Sequence, residues 1–114
     1  MTAGVFRKLA LRIPGVTEGA HQGHADFRAN GRVFATLGYP DDSWAMVKLS
    51  PTDQVLYLER YPESFVPAAG AWGRRGSTMV RLGAADAKVL ASALKFACAH
   101  SASPPKRKRP ATAR

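Results

Sequence analysis

The chain has 114 residues, 46% of them hydrophobic, and a formal net charge of +9 from 17 basic and 8 acidic side chains. That suffices for one small core but not two, and it is too apolar for a disordered chain. The single cysteine, Cys98, excludes an intrachain disulfide and a cysteine-rich metal site.

No apolar run approaches the roughly 18–20 residues needed to span a bilayer. Arg7, Lys8 and Arg12 interrupt the apolar positions that a signal peptide needs. A cytoplasmic protein without a membrane partner is expected, monomeric by default. Five basic residues (Lys106, Arg107, Lys108, Arg109 and Arg114) fall in the last nine positions, which hold no acid. Removing them leaves 12 basic against 8 acidic residues, so the folding part is only mildly basic.

Thr2 to about Arg12 reads as a short amphipathic helix, with Val5, Phe6, Leu9 and Ile13 at helical spacing. Pro14-Gly15 ends it, and a loop to Gly23 follows. DFRA and RVFATL then flank Asn30-Gly31, the dipeptide that best fills both positive-φ positions of a type I′ hairpin turn. A two-residue turn sets Ala29 opposite Arg32, Arg28 opposite Val33 and Phe27 opposite Phe34. Phe27 and Phe34 are thereby assigned to the core face, and His24, Asp26 and Arg28 to the opposite one.

Trp44 to Leu49 reads as a third strand. Ser50-Pro51-Thr52-Asp53 is a helix start, with Ser as N-cap, Pro at the first position and an acid in the first turn. That helix is expected to bury Val55, Leu56 and Leu58 or Tyr57, and to stop before Pro62. YPESFVPAAGAWGRRG is too rich in Pro and Gly for regular structure. Ser77 to Leu82 is a further strand, with Thr78 and Val80 inward. The last helix runs from about Ala84 to His100, its apolar stripe formed by Val89, Leu90, Ala93, Leu94 and Ala97.

The order α-β-β-β-α-β-α predicts an α+β domain over residues 1–100, an antiparallel β-sheet with helices packed on one face. Residues 101–114 (SASPPKRKRPATAR) have nothing to bury and are expected to form a disordered basic tail. With Ala, Arg and Pro throughout, the composition looks like that of a high-GC bacterial sequence.

Catalytic chemistry finds little purchase. His21, His24 and Asp26 have metal-ligand residue types, but in one extended segment His24 and Asp26 share a face while His21 points away, leaving two ligands. Cys98 lies beside an apolar stripe, where thiols are usually inert. The serines at 43, 50, 64 and 77 have no G-x-S-x-G elbow, and Gly70, Gly73 and Gly76 are not followed by Lys-Ser/Thr. Neither an enzymatic activity nor a cofactor is expected.

A binding surface is more legible. Arg74 and Arg75 sit between Gly73 and Gly76, and adjacent charges are seldom both buried. Trp72 beside them offers a stacking plane, although a Trp in so small a domain more often plugs the core. Arg28, Lys48 and Arg81 fall on the sheet face away from the helices, with Arg32 at the hairpin tip. Together with Lys106, Arg107, Lys108 and Arg109 of the tail, these residues form a set able to contact several phosphates. The plain alternative is a solvated face on which Asp26 pairs with Arg28, worth about 0–1 kcal/mol.

PGVTEG, the G-x-ADFR-x-x-G hairpin leading to FATL, the V-KL strand followed by P-x-x-Q, F-P-x-x-GAWG and a final D-x-x-x-L helix are similar in combination to the MmcQ/YjbR family. The resemblance runs from about Val5 to Ala97. It implies a frataxin-like (CyaY-like) fold, an additional strand near His21 or Phe65, and DNA binding, through a double-wing arrangement matched by the hairpin and the Arg74-Arg75 loop. Frataxins are associated with iron through an acidic ridge on their first helix; here that helix carries Arg7, Lys8 and Arg12 and no acid. The expected function is therefore non-enzymatic DNA binding through basic hairpin, loop and tail. The alternative is a protein- or small-ligand-binding module that uses the open sheet face.

Overall fold

A computed structural model describes residues 1–102; Lys106, Arg107, Lys108 and Arg109 lie outside the described residues. Helix α1 (Ala3–Leu11) is capped by Thr2, whose hydroxyl accepts the Val5 N–H, and it buries Phe6 and Ala10. Strands β1 (Thr17–His21), β2 (His24–Ala29), β3 (Arg32–Leu37) and β4 (Trp44–Lys48) follow as a meander. Helix α2 (Pro51–Arg60) starts at the Ser50 cap as the sequence predicts. Then come β5 (Phe65–Pro67), the one-turn helix α3 (Gly70–Arg74), β6 (Ser77–Arg81), a 3₁₀ turn at Leu82–Ala84, and α4 (Ala87–Ala102). Asp86 receives the N–H groups of Lys88 and Val89 at the start of α4.

The six strands form one antiparallel sheet in the order β1-β2-β3-β4-β6-β5. It is the α+β architecture expected. Helix α4 lies across β2, β3 and β4, with α1 packed against it. The core between them holds Phe6, Phe27, Phe34, Val47, Val80, Leu90 and Leu94, all fully buried. The Tyr57 hydroxyl, 2.7 Å from that of Ser92, ties α2 to α4.

Several sequence expectations need correction. The segment before Gly23 is a strand, because Gln22 (φ 52°) and Gly23 (φ 80°) make a second two-residue turn and fold β1 back onto β2. His21 therefore sits opposite His24 and on the same face, not on the other one. The Asn30-Gly31 turn forms with φ values of 54° and 76°. It holds Ala29 opposite Arg32 and Arg28 opposite Val33, but the register then slips, and Phe27 faces Ala35 instead of Phe34. This bulge allows Phe34 and Ala35, adjacent in sequence, both to be buried.

On α2 it is Gln54 and Tyr57 that turn inward, while Val55 and Leu56 are about half exposed. Gln54 is drawn in because its amide donates to the carbonyls of Gly73 and Ser77, at 2.9 and 3.1 Å. The segment read as irregular contains β5 and α3, and the last helix begins at Ala87 and ends at Ala102. Trp72 is 61% exposed and plugs nothing.

Candidate ligand-binding cleft on the open sheet face

Antiparallel pairing puts directly opposed residues on one face. Gly19, Asp26, Thr36, Met46 and Met79 are successive partners across five strands, so they form one row on the face away from the helices. Arg28 and Val33 form part of a second row, and Lys48 and Ser77 pair on the same face. Helix α3 stands at the edge of this face. It can do so because residue 73 is glycine: a Cβ there would overlap the Ala68 carbonyl oxygen. The flat sheet thereby becomes a cleft of about 800 Å³. Met46, Met79, Val33, Ala68 and Ala69 supply apolar lining, Tyr39 and Trp72 aromatic lining, and Thr36, Ser77, Lys48, His21, Asp26 and Arg28 polar groups.

The charged end is built around Asp26, whose side chain is fully covered. Arg28 donates to it twice, Nε to Oδ1 at 2.8 Å and Nη2 to Oδ2 at 3.1 Å. His21 Nδ1 lies 2.6 Å from Oδ2. The Arg28 hydrogen bonds, aided by His21, hold the Asp26 carboxyl down at about 2 against the opposing effect of burial. An ionised carboxylate can only accept, so His21 Nδ1 donates. The same pairing raises the Arg28 guanidinium further above its ordinary value.

Gly19 makes the arrangement possible, since a Cβ there would stand 3.0 Å from Asp26 Oδ1 and 3.1 Å from the Arg28 guanidinium. The Asp26–Arg28 pair is thus a buried-carboxylate brace and not the fully solvated pair of the plain alternative. Arg28 Nη1 has no partner among the described residues.

Lys48 makes no ion pair among the described residues; its Nζ lies 5.8 Å from the centroid of Trp72. Arg81 stacks on Trp44 at 4.5 Å, also on the open face but outside the cleft lining. Arg32, Arg74 and Arg75 are exposed, Arg32 at the start of β3 and the other two at the end of α3. Of the sequence-predicted residues, the cleft therefore gathers Arg28, Lys48 and Trp72 and leaves Arg32, Arg74, Arg75 and Arg81 at or beyond its margins. Thr36, Met46, Ser77 and Met79 were not singled out by sequence, nor His21 for this face. The readable signal was His-Gln-Gly-His, a second two-residue turn whose Gln22 and Gly23 lie four and three residues upstream of Asp26.

None of the curated proteins matches this chain. Among solved structures it is similar to a protein of Deinococcus radiodurans, DR2400, whose crystal structure carries a DUF419 domain; identity is 18%, coverage is 84% of this chain and 75% of that one, and the TM-score is 0.69. That likeness shows a shared fold. Residues 11–97 match the YjbR family model, most of the chain, so the chain belongs to the YjbR family.

Proposed function

We propose that this protein is a non-enzymatic binding module that holds a small organic anion in the cleft on its open sheet face. The observation that carries this reading is Lys48: an ammonium inside a largely apolar cleft, with no carboxylate on it among the described residues. Small-molecule sites are typically clefts of about 300–1,000 Å³, mostly apolar, with a few fixed polar groups, and this cleft fits that description. Arg28 is pre-set by Asp26, so little side-chain entropy is lost when it meets a ligand. A ligand bound to the native state raises the melting temperature. A thermal-shift panel of small organic anions should give stabilisation that Lys48→Ala removes; no stabilisation by any of them refutes the reading.

A second reading, nucleic-acid binding, is favoured by the exposed Arg74 and Arg75 next to exposed Trp72. Arg32 and the tail residues Lys106, Arg107, Lys108 and Arg109 would add phosphate contacts. It differs from the first in its salt response, since each phosphate contact contributes about −0.7 to −0.9 to the slope of log K against log salt.

A further inference from the structure

We infer that the anion taken by the cleft is an amphiphilic monocarboxylate, its carboxylate held between the Lys48 ammonium and the Ser77 hydroxyl and its apolar body laid over Met46 and Met79 beside Trp72. This rests on the ligand-binding reading above and names its ligand class. Ser77 points to the place of the head group. It lines the cleft and is only 6% exposed, yet its hydroxyl has no hydrogen-bond partner among the described residues. The backbone there is fixed, because the Ser77 carbonyl accepts from the Ala68 N–H at 2.9 Å and from the Gln54 amide at 3.1 Å. Buried Ser64 and Thr78, by contrast, each donate to a carbonyl, of Ala84 and Gly76 respectively. A buried hydroxyl without a partner costs free energy and calls for an acceptor from outside the fold.

Lys48 is the direct cross-strand partner of Ser77, and such residues on antiparallel neighbours stand about 5 Å apart at Cβ. The flexible four-carbon stem of the lysine lets its ammonium meet an oxyanion above the Ser77 hydroxyl. Together they offer one positive charge and donors for both oxygens of a carboxylate. Charge decides against a dianion. Arg28 stands two strands away on β2, and its charge is matched by Asp26 at 2.8 Å. Lys48 is thus the lining lysine or arginine that no carboxylate meets among the described residues, and a second negative charge would enter a largely apolar space unpaired.

The apolar body follows from the register. Two residues along from this pair, Met46 and Met79 face each other across the same two strands and give a soft, adaptable floor. Ala68, Ala69 and Trp72 line the cleft beside it. Lys48 Nζ lies 5.8 Å from the Trp72 centroid, so a group bonded to a carboxylate on that ammonium emerges beside the indole. The row continues from Met46 to Thr36 on β3, a path of about 10 Å from β6. At its far side Thr36 and Arg28 Nη1 offer hydrogen bonds but no unmatched charge, which suits solvent or a neutral polar group.

Calorimetric titration of the full chain with octanoate, octanol and octyl phosphate at about pH 8, where the phosphate is a dianion, tests this. Octanoate should bind saturably and about tenfold or more tightly than either of the others. Lys48→Met, which keeps an apolar stem, should weaken octanoate about tenfold and leave octanol within about threefold. Ser77→Ala should weaken octanoate about three- to tenfold. Both variants keep every charge of the basic tail, so their losses place the carboxylate in the cleft; circular dichroism confirms folding of each.

Tighter binding of octyl phosphate than of octanoate, lost in Lys48→Met, overturns the monocarboxylate assignment and leaves the anion-binding reading standing. Equal affinity for octanoate and octanol, unaltered in both variants, overturns the assignment and with it the role of Lys48 that carries that reading. No binding of any of the three overturns the assignment alone, since the wider anion panel above decides the reading behind it.

Discussion

Replacing Asp26 by Asn removes the charge that organises the cleft while nearly preserving its shape. Asp26 accepts three hydrogen bonds, from His21 Nδ1 and from Arg28 Nε and Nη2. An asparagine oxygen in place of Oδ2 can keep two of them, but its amide nitrogen then faces the Arg28 Nε donor. Breaking a fully buried ion pair costs about 3–5 kcal/mol. Here Arg28 and His21 remain 39% and 49% exposed, so water partly compensates them, and the expected loss is about 1–2 kcal/mol. For a domain of this size that is a fall in Tm of about 5–10 °C.

The pH dependence is more diagnostic than the size. The Asp26 carboxyl is held at about 2 in the folded state, below its ordinary value of 3.8. Its contribution is therefore fully present above about pH 4–5 and is lost as pH falls towards 2. Urea unfolding of both proteins at several pH values from 7 to 2.5 measures this. The difference between them should shrink as the pH falls below about 4. A variant as stable as the parent, or a difference independent of pH throughout, refutes the view of Asp26 as an ionised brace.

Phe27→Ala, which empties a fully buried site in contact with Phe6, should cost about 3–5 kcal/mol by chemical denaturation. Gly73→Ala should displace α3, because its Cβ would overlap the Ala68 carbonyl; Trp72 fluorescence and ligand-induced stabilisation should change together, where an exposed helical Gly→Ala would ordinarily be stabilising. Arg74→Ala/Arg75→Ala should leave stability within about ±0.5 kcal/mol. If the nucleic-acid reading holds, the same double change lowers the salt slope of binding by about one to two units; an unaltered slope refutes a phosphate contact at these residues.

The fold was legible where local chemistry decides the structure. Ser50-Pro51 and Asn30-Gly31 announce a helix start and a turn whatever surrounds them. Phe27 and Phe34 could be placed on the core side from the turn alone. The β3 bulge could not be foreseen, because it answers to core packing: both Phe34 and Ala35 end up buried. Helix α3 was hidden for a similar reason, since its Pro- and Gly-rich surroundings read as loop, and its position depends on Gly73 meeting Ala68.

The site was half legible. Arg28, Lys48 and Trp72 stood out by residue type. Their union with Thr36, Ser77 and two methionines is a property of cross-strand register between β3, β4 and β6, which pairs cleft residues as far apart in sequence as Met46 and Met79. The second turn at Gln22-Gly23, which brings His21 to Asp26, is less distinctive than Asn-Gly because Gln rarely takes a positive φ.

The chain has three methionines, and two of them, Met46 and Met79, line the cleft while Met1 does not. Methyl-labelled methionine spectra recorded during titration with a small organic anion that stabilises the protein therefore test the central claim most directly. The account predicts that the Met46 and Met79 methyl signals shift together along one saturable curve while Met1 stays still. Saturable binding with both cleft methyls unmoved would contradict it.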